Sequence, residues 1–247
     1  QKPMNQLSQG DIPKGAKFTE IAVKNFSIKS GVKITTKSEF SSQFGFGSSS
    51  ASTVCVIKAL SEITDAKLDN KAIFDLSYQT VLDIQGKGSG FDVAAAVYGG
   101  TLYFVIGGKT IEPLKLASIP LVIGYSGIKA DTVTLINEVL EKAKKYPEVI
   151  KNIYDAIGKL VQQAKTAILS KDWQTVGELM NFNEGYLSSL GVESKKLADM
   201  IYGARSAGAY GAKLSGAGIG DCMIAIAPPS KKSAVSKAIT KAGGQVV

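Results

Sequence analysis

The sequence predicts a fold of mixed helices and strands in one or two domains, and three observations carry that reading. Three glycine-rich turns, at Gly45–Gly47, Gly86–Gly90 and Gly216–Gly220, each adjoin a periodic apolar segment. A tract from about Ala130 to Arg205 keeps helical periodicity throughout. Between these regions the pattern changes, and a domain boundary is placed near residues 112–119. At 247 residues the chain can bury a large core.

The elements follow in order. Residues 1–18, with Pro3, Gly10, Pro13 and Gly15, read as loop with at most a short helix. Phe18 to Ser30 alternates weakly and fits either a strand or a helix end. Val32-Lys33-Ile34-Thr35-Thr36-Lys37 alternates as a strand does. Val54 to Leu60 reads as a helix running to about Glu62. After a turn at Asp65–Asn70, Asn70 is expected to cap a helix from Lys71 to Ile84, with Ile73, Phe74, Val81 and Leu82 among its apolar residues. An alanine-rich helix follows the second glycine turn and ends at Gly99-Gly100. Thr101–Ile106 is a strand turned by Gly107-Gly108, and Pro120–Tyr125 is another, apolar enough to be central. Helices are expected over 131–145, 147–169, 173–190 and 194–206, with Trp173, Val176, Leu179, Met180 and Leu187 as a core stripe. Met223–Ala227 is a strand. Pro228-Pro229 breaks the chain before a lysine-rich helix from Lys231 to Ala242. The sequence starts at Gln1 without Met and stops in a turn and the first residues of a strand, so both ends look cut.

Composition excludes several function classes. No apolar run reaches the ~18 residues of a membrane helix, so no membrane partner is expected. Cys55 and Cys222 lie far apart without metal-ligand spacing, and are expected as buried thiols in a reducing, cytoplasmic compartment. Histidine is absent, which removes histidine bases, Ser-His-Asp triads and most zinc sites. The net charge of +8 comes from 29 basic and 21 acidic residues. The lysines are scattered, and no arginine-rich, aromatic-interleaved segment suggests a nucleic-acid partner. A positive field would still draw in a polyanionic substrate.

The candidate chemistry sits in the glycine turns. Gly45-Phe46-Gly47-Ser48-Ser49-Ser50-Ala51 stands where a loop meets a helix N-terminus, whose first amides are unpaired and whose dipole favours anions. Gly45 and Gly47 allow close backbone approach, and Ser48, Ser49 and Ser50 can cap the helix or reach a phosphate or its metal. The stretch reads either as a phosphate cradle or as an ordinary serine-capped helix. It is not a P-loop, because it lacks the Gly-Lys-Ser/Thr ending. Asp92, beside Gly88-Ser89-Gly90, is the carboxylate placed to orient an attacking hydroxyl or accept its proton. It equally suits a helix dipole.

Taken together, the motifs are recognisable. Gly45 to Ala51 resembles the second motif of the GHMP kinases, small-molecule kinases of galactose, homoserine, mevalonate and phosphomevalonate. Lys213-Leu214-Ser215-Gly216-Ala217-Gly218 resembles their third motif, and Gly88 to Asp92 the segment carrying their catalytic aspartate. The resemblance implies an α+β, two-domain fold, here 1–115 and 116–247, with ATP and substrate bound between the domains. It implies ATP and Mg²⁺, with Ser49 toward the metal and phosphate and Asp92 as base or orienter. It implies Gly216, Ala217 and Gly218 as a loop closing on the phosphates, and Gly90, Thr132 and Ser215 toward the substrate.

For the acceptor, Val122 to Thr132 and Met180-Asn181-Phe182-Asn183 through Val192 are similar to mevalonate kinases. Gly88 to Ala96 and Gly220-Asp221-Cys222 are more similar to phosphomevalonate kinases. The reading is therefore a kinase of the mevalonate hydroxyl, with phosphomevalonate, or a nucleotide-binding protein without catalysis, as alternatives. Mevalonate kinases often carry a metal-binding glutamate eleven residues before the aspartate. Here that position is Val81, and Asp83 is roughly 200° further round a helix. Either Asp83 substitutes after a local shift, or Ser49 and water suffice. No counterpart of the family's first motif, with its lysine, precedes Gly45. Oligomeric state is left open, a homodimer included.

Overall fold

The computed structural model describes residues 14–26, 28, 31–38, 44–116 and 118–247. They form two compact units. One holds the described residues up to 38 with Phe46–Lys115; the other holds Phe44, Gly45 and Leu116–Val247.

The first unit packs helices on a hairpin. Helix α1 spans Lys14–Phe26, α2 Ser48–Ile63, α3 Asn70–Gln85 and α4 Phe91–Tyr98. Strands β1 (Thr101–Val105) and β2 (Thr110–Leu114) pair antiparallel, Thr101 opposite Leu114 and Val105 opposite Thr110. Ala22, Ile57, Phe74, Val93 and Ala94 are fully buried, one or two from each helix, and Leu102, Phe104 and Ile111 of the hairpin pack on them. Asp69, not Asn70, caps α3 by accepting the Ala72 N–H at 2.8 Å. The one-residue shift puts Asn70 inside the helix. Gly86, in the left-handed region at φ 68°, closes the other end through its N–H to Leu82.

Two expectations change here. Residues 14–26 form one helix, where the weak alternation after Phe18 left strand and helix open; Ser27, Lys29, Ser30 and residues 1–13 lie outside the described ones. Residues 32–37 are not a strand. Val32 and Ile34 turn toward the core and their neighbours outward, so the alternation is real, but no ladder forms on it among the described residues. Strand β2 went unread, because Pro113 and the charged Glu112 obscure its pattern.

The second unit is a four-stranded antiparallel sheet in the order β4-β5-β3-β6, with β3 Leu121–Tyr125, β4 Gly211–Ser215, β5 Cys222–Ile226 and β6 Gln245–Val246. The expected central place of β3 is observed. Helices α5 (Thr132–Lys145), α6 (Pro147–Leu169), α7 (Trp173–Leu190), α8 (Lys195–Ser206) and α9 (Lys232–Lys241) match the sequence reading within a residue or so. Leu197, Met200 and Ile201 of α8 and Val235 and Ile239 of α9 are buried with Leu214 and Met223 of the sheet. Val176 and Leu179 of the expected stripe are buried, and Trp173 and Met180 pack against the cluster that holds Val176.

Strand β4 was hidden inside the third glycine stretch, and α7 explains how it holds its place. Asn181 accepts the Ala212 N–H at 3.1 Å, and its amide donates to the Tyr210 carbonyl. Glu184 accepts the Leu214 N–H at 2.7 Å, and Arg205 of α8 donates to the Ala212 carbonyl at 2.6 Å.

Candidate active site

In the first unit the site is built on the start of α2. Gly47 precedes the helix at φ 67° and ψ 32°, and no side chain caps it. The Ala51 N–H is the first to find an acceptor in the helix, the Gly47 carbonyl at 2.9 Å. The amides of Ser48, Ser49 and Ser50 are thus left for an anion. Ser48 and Ser49 are half-exposed, with hydroxyls unengaged among the described residues.

Asp92 lies against this turn. The Ser50 hydroxyl donates to Asp92 Oδ2 at 2.6 Å, and the Val93 N–H reaches Oδ1 at 3.0 Å. A Cβ on Gly47 would stand 2.9 Å from that of Asp92, so the glycine serves both its left-handed backbone and the carboxylate's approach. Gly47, Ser48, Ser49, Ser50 and Asp92, all picked from sequence, therefore converge. Ser50 is 1% exposed and spends its hydroxyl on Asp92; what it can offer a phosphate is its backbone N–H.

The turn carrying Asp92 is held by a tyrosine of α3 that is not among the candidates read from the sequence. Tyr78 donates its hydroxyl to the Gly88 carbonyl at 2.7 Å. Its ring would stand 3.0 Å from a Cβ on Gly90, so Gly90 is required by packing against Tyr78 and Phe74. A tyrosine ten residues before a glycine turn was the available signal.

Val81 is buried in this unit's core. Asp83 is engaged within this unit: the Asn25 amide of α1 at 2.8 Å, and then Gln79 one turn back on α3, hold its carboxyl below the usual range.

A groove of about 520 Å³ continues from the cradle, walled by Ile34–Ser38 on one side and by Ser48, Ser52, Cys55 and Ala59 of α2 on the other. Cys55 is exposed there, which corrects the expectation of two buried thiols. The apolar face of α2 is carried by Val54, Val56 and Ile57, and Cys55 falls outside it. Cys222 is buried, and both cysteines are free.

In the second unit the third glycine stretch begins as β4 and becomes the loop to β5. Gly216 is exposed, with only Asp221 Oδ2 near a Cβ, at 3.9 Å; Ala217 is half-exposed. Gly218 is buried, and a Cβ there would meet the Val192 carbonyl at 2.1 Å, so its glycine is a packing requirement. Ile219 and Asp221 both adopt left-handed backbone, φ 60° and 55°, uncommon for such residues.

Asp221 repays that strain by stapling the loop. Its N–H donates to Ile128, its carbonyl accepts from Ser126, and its Oδ1 takes the Ala130 N–H at 3.3 Å beside Lys129 at 3.6 Å. A Cβ on Gly45 would stand 2.6 Å from Asp221 Cγ, so Gly45 belongs to this cluster. Thr132 is exposed at the start of α5, one residue after its cap, Asp131. Ser215 is the half-buried last residue of β4.

Beneath the loop, Glu184 is 4% exposed and its Oε1 has no partner among the described residues. Burial, reinforced by Glu193, pushes its carboxyl up to about 7 against the Leu214 N–H and Lys213. Burial also lowers the Lys213 ammonium.

An anion-ready helix start with a carboxylate hydrogen-bonded to its first turn is an arrangement suited to phosphoryl transfer. The chain belongs to the GHMP kinase family: residues 14–100 match the GHMP kinases N terminal domain and residues 164–245 the GHMP kinases C terminal.

Within the family it is similar to mevalonate kinases. That of Pyrococcus abyssi is 39% identical over 230 residues, covering 91% of this chain and 68% of the relative. That of Pyrococcus horikoshii is 40% identical with the same coverage. The chain thus spans about two thirds of their length. Among solved structures, the Methanococcus jannaschii mevalonate kinase superposes with a TM-score of 0.78 at 26% identity, over 99% of this chain and 77% of that one. The L. major mevalonate kinase in complex with R-mevalonate gives 0.75 at 26%, over 92% and 72%.

Proposed function

We propose that the protein transfers the γ-phosphoryl group of ATP to the hydroxyl of mevalonate. The observation that carries this reading is the Asp92 carboxylate fixed 2.6 Å from Ser50 on the first turn of the cradle helix. The free amides of that turn bind the phosphates, and Asp92 orients the acceptor hydroxyl and takes its proton as the oxygen attacks phosphorus and ADP leaves. The groove along α2, at about 520 Å³, has room for the nucleoside.

Mg²⁺ fits this donor set. No group of three or more acidic, cysteine or histidine side chains that could hold a metal exists among the described residues. Magnesium beside a nucleotide takes most of its oxygens from phosphate and water, and the unengaged Ser49 hydroxyl would be the protein oxygen beside them. When bound, the ion would neutralise phosphate charge.

Mevalonate as acceptor is supported by relatives at 39–40% identity. The Gly220-Asp221-Cys222 signature that favoured a phosphorylated acceptor has an internal task instead: Asp221 ties its own loop to Ser126–Ala130. Two free cysteines support a reducing, cytoplasmic setting.

The test is ADP release by the full-length protein, with mevalonate and 5-phosphomevalonate offered separately. Turnover on mevalonate is expected, and Asp92→Asn should lower it by roughly 10²–10⁴ while ATP binding by calorimetry holds. Turnover on 5-phosphomevalonate alone would replace the acceptor. Full activity of the Asp92 variant would remove the carboxylate from the mechanism.

A further inference from the structure

We infer that Ser50 is a positioning residue for the phosphoryl transfer, acting through Asp92 rather than on the nucleotide. The inference rests on the reading of Asp92 as the group that handles the acceptor hydroxyl.

Three observations converge on it. The Ser50 hydroxyl is the donor to Asp92 Oδ2, at 2.6 Å, the length of a charge-assisted O–H···O⁻ bond. Ser50 is 1% exposed, so water does not compete for that hydroxyl. A helical serine or threonine commonly turns its hydroxyl back to a carbonyl of the preceding turn, as Thr53 does to the Ser49 carbonyl at 2.9 Å. Ser50 instead donates across to α4.

The carboxylate is thereby held at both oxygens, Oδ2 by Ser50 and Oδ1 by the Val93 N–H at 3.0 Å, with Gly47 leaving space for its Cβ. Its rotation is stopped. Each oxygen keeps lone-pair capacity for an acceptor hydroxyl. The same helix turn that offers amides to the phosphates thus sets the angle of the base. A loose carboxylate would spend most of its time out of line with the attacking oxygen, and such misplacement is costly in rate.

The experiment is Ser50→Ala in the full-length protein, assayed with ATP and mevalonate beside Asp92→Asn and the double variant. The expected result is a fall in kcat of about tenfold. KM for ATP and the melting temperature should stay close to those of the parent. In the Asp92→Asn background the serine change should cost nothing further. An unchanged kcat in Ser50→Ala overturns the inference, as does a rise in KM for ATP alone, which would make Ser50 a phosphate ligand. Should Asp92→Asn itself keep full activity, the failure lies in the reading of Asp92 and the inference falls with it.

Discussion

Gly177 of α7 and Gly211 of β4 meet backbone to backbone: a Cβ on Gly211 would stand 1.9 Å from the Gly177 carbonyl oxygen, and one on Gly177 2.4 Å from the Tyr210 carbonyl carbon. The contact sets how closely the helix approaches the strand that leads into the third glycine turn. A methyl group on either residue cannot be absorbed by a rotamer change, because the atoms it meets are main chain. Gly177→Ala should destabilise the protein by about 2 kcal/mol or more, read from urea unfolding. An alanine variant with the parent's midpoint would show that the helix can retreat without cost.

Glu184 makes stability depend on pH in a stated direction. Its carboxyl lies near 7 in the folded protein, against a usual value of 4.5. The folded state therefore holds the proton more tightly, and this stabilisation is complete below about 4.5 and lost as pH rises through about 7. The melting temperature should fall between those limits, and Glu184→Gln, which keeps an acceptor for the Leu214 N–H, should flatten the fall. The groups that share the site are Glu193 and Lys213. A slope that survives in Glu184→Gln would move the titration to one of them.

The two cysteines should behave differently. Burial first, and then the Asp221 charge, push the Cys222 thiol up to about 11 despite Lys129, and it donates to the Phe44 carbonyl. Cys55 is exposed in the groove beside the cradle. A thiol reagent at neutral pH should modify one cysteine in the native protein and two in denaturant. ATP should slow the native reaction if the nucleoside lies along α2; equal rates with and without ATP would place it elsewhere.

How much of this was legible depended on the kind of signal. Helices α5 to α8 were readable nearly to the residue, since Pro147, the Ser170–Asp172 turn and Gly191 punctuate long apolar periods. Gly47, the serines and Asp92 were readable because glycines beside a helix start restrict what the backbone can do. The joining of Ser50 to Asp92 was not, as it spans 42 residues and no local pattern encodes it. Strand β4 was not readable either. Its sequence looks like the loop it enters, and its outward groups are completed by Asn181, Glu184 and Arg205, residues whose own periodicity speaks only of helices. Gly90 and Gly218 carry a demand that the sequence does not show: each has left-handed backbone and is crowded by a neighbour, Tyr78 and Val192.

The side chains along β4 have a consequence for assembly. A strand at the rim of a sheet ordinarily offers its open amides and carbonyls to any extended segment that drifts past, which is how sheets recruit unwanted copies of themselves. Here Asn181, Glu184 and Arg205 already occupy the groups at 210, 212 and 214, and α7 lies across the approach. An incoming strand would have to displace a helix to register with β4. This rim of the sheet is closed to strand addition, and the segment that delivers the third glycine turn is kept from templating aggregates.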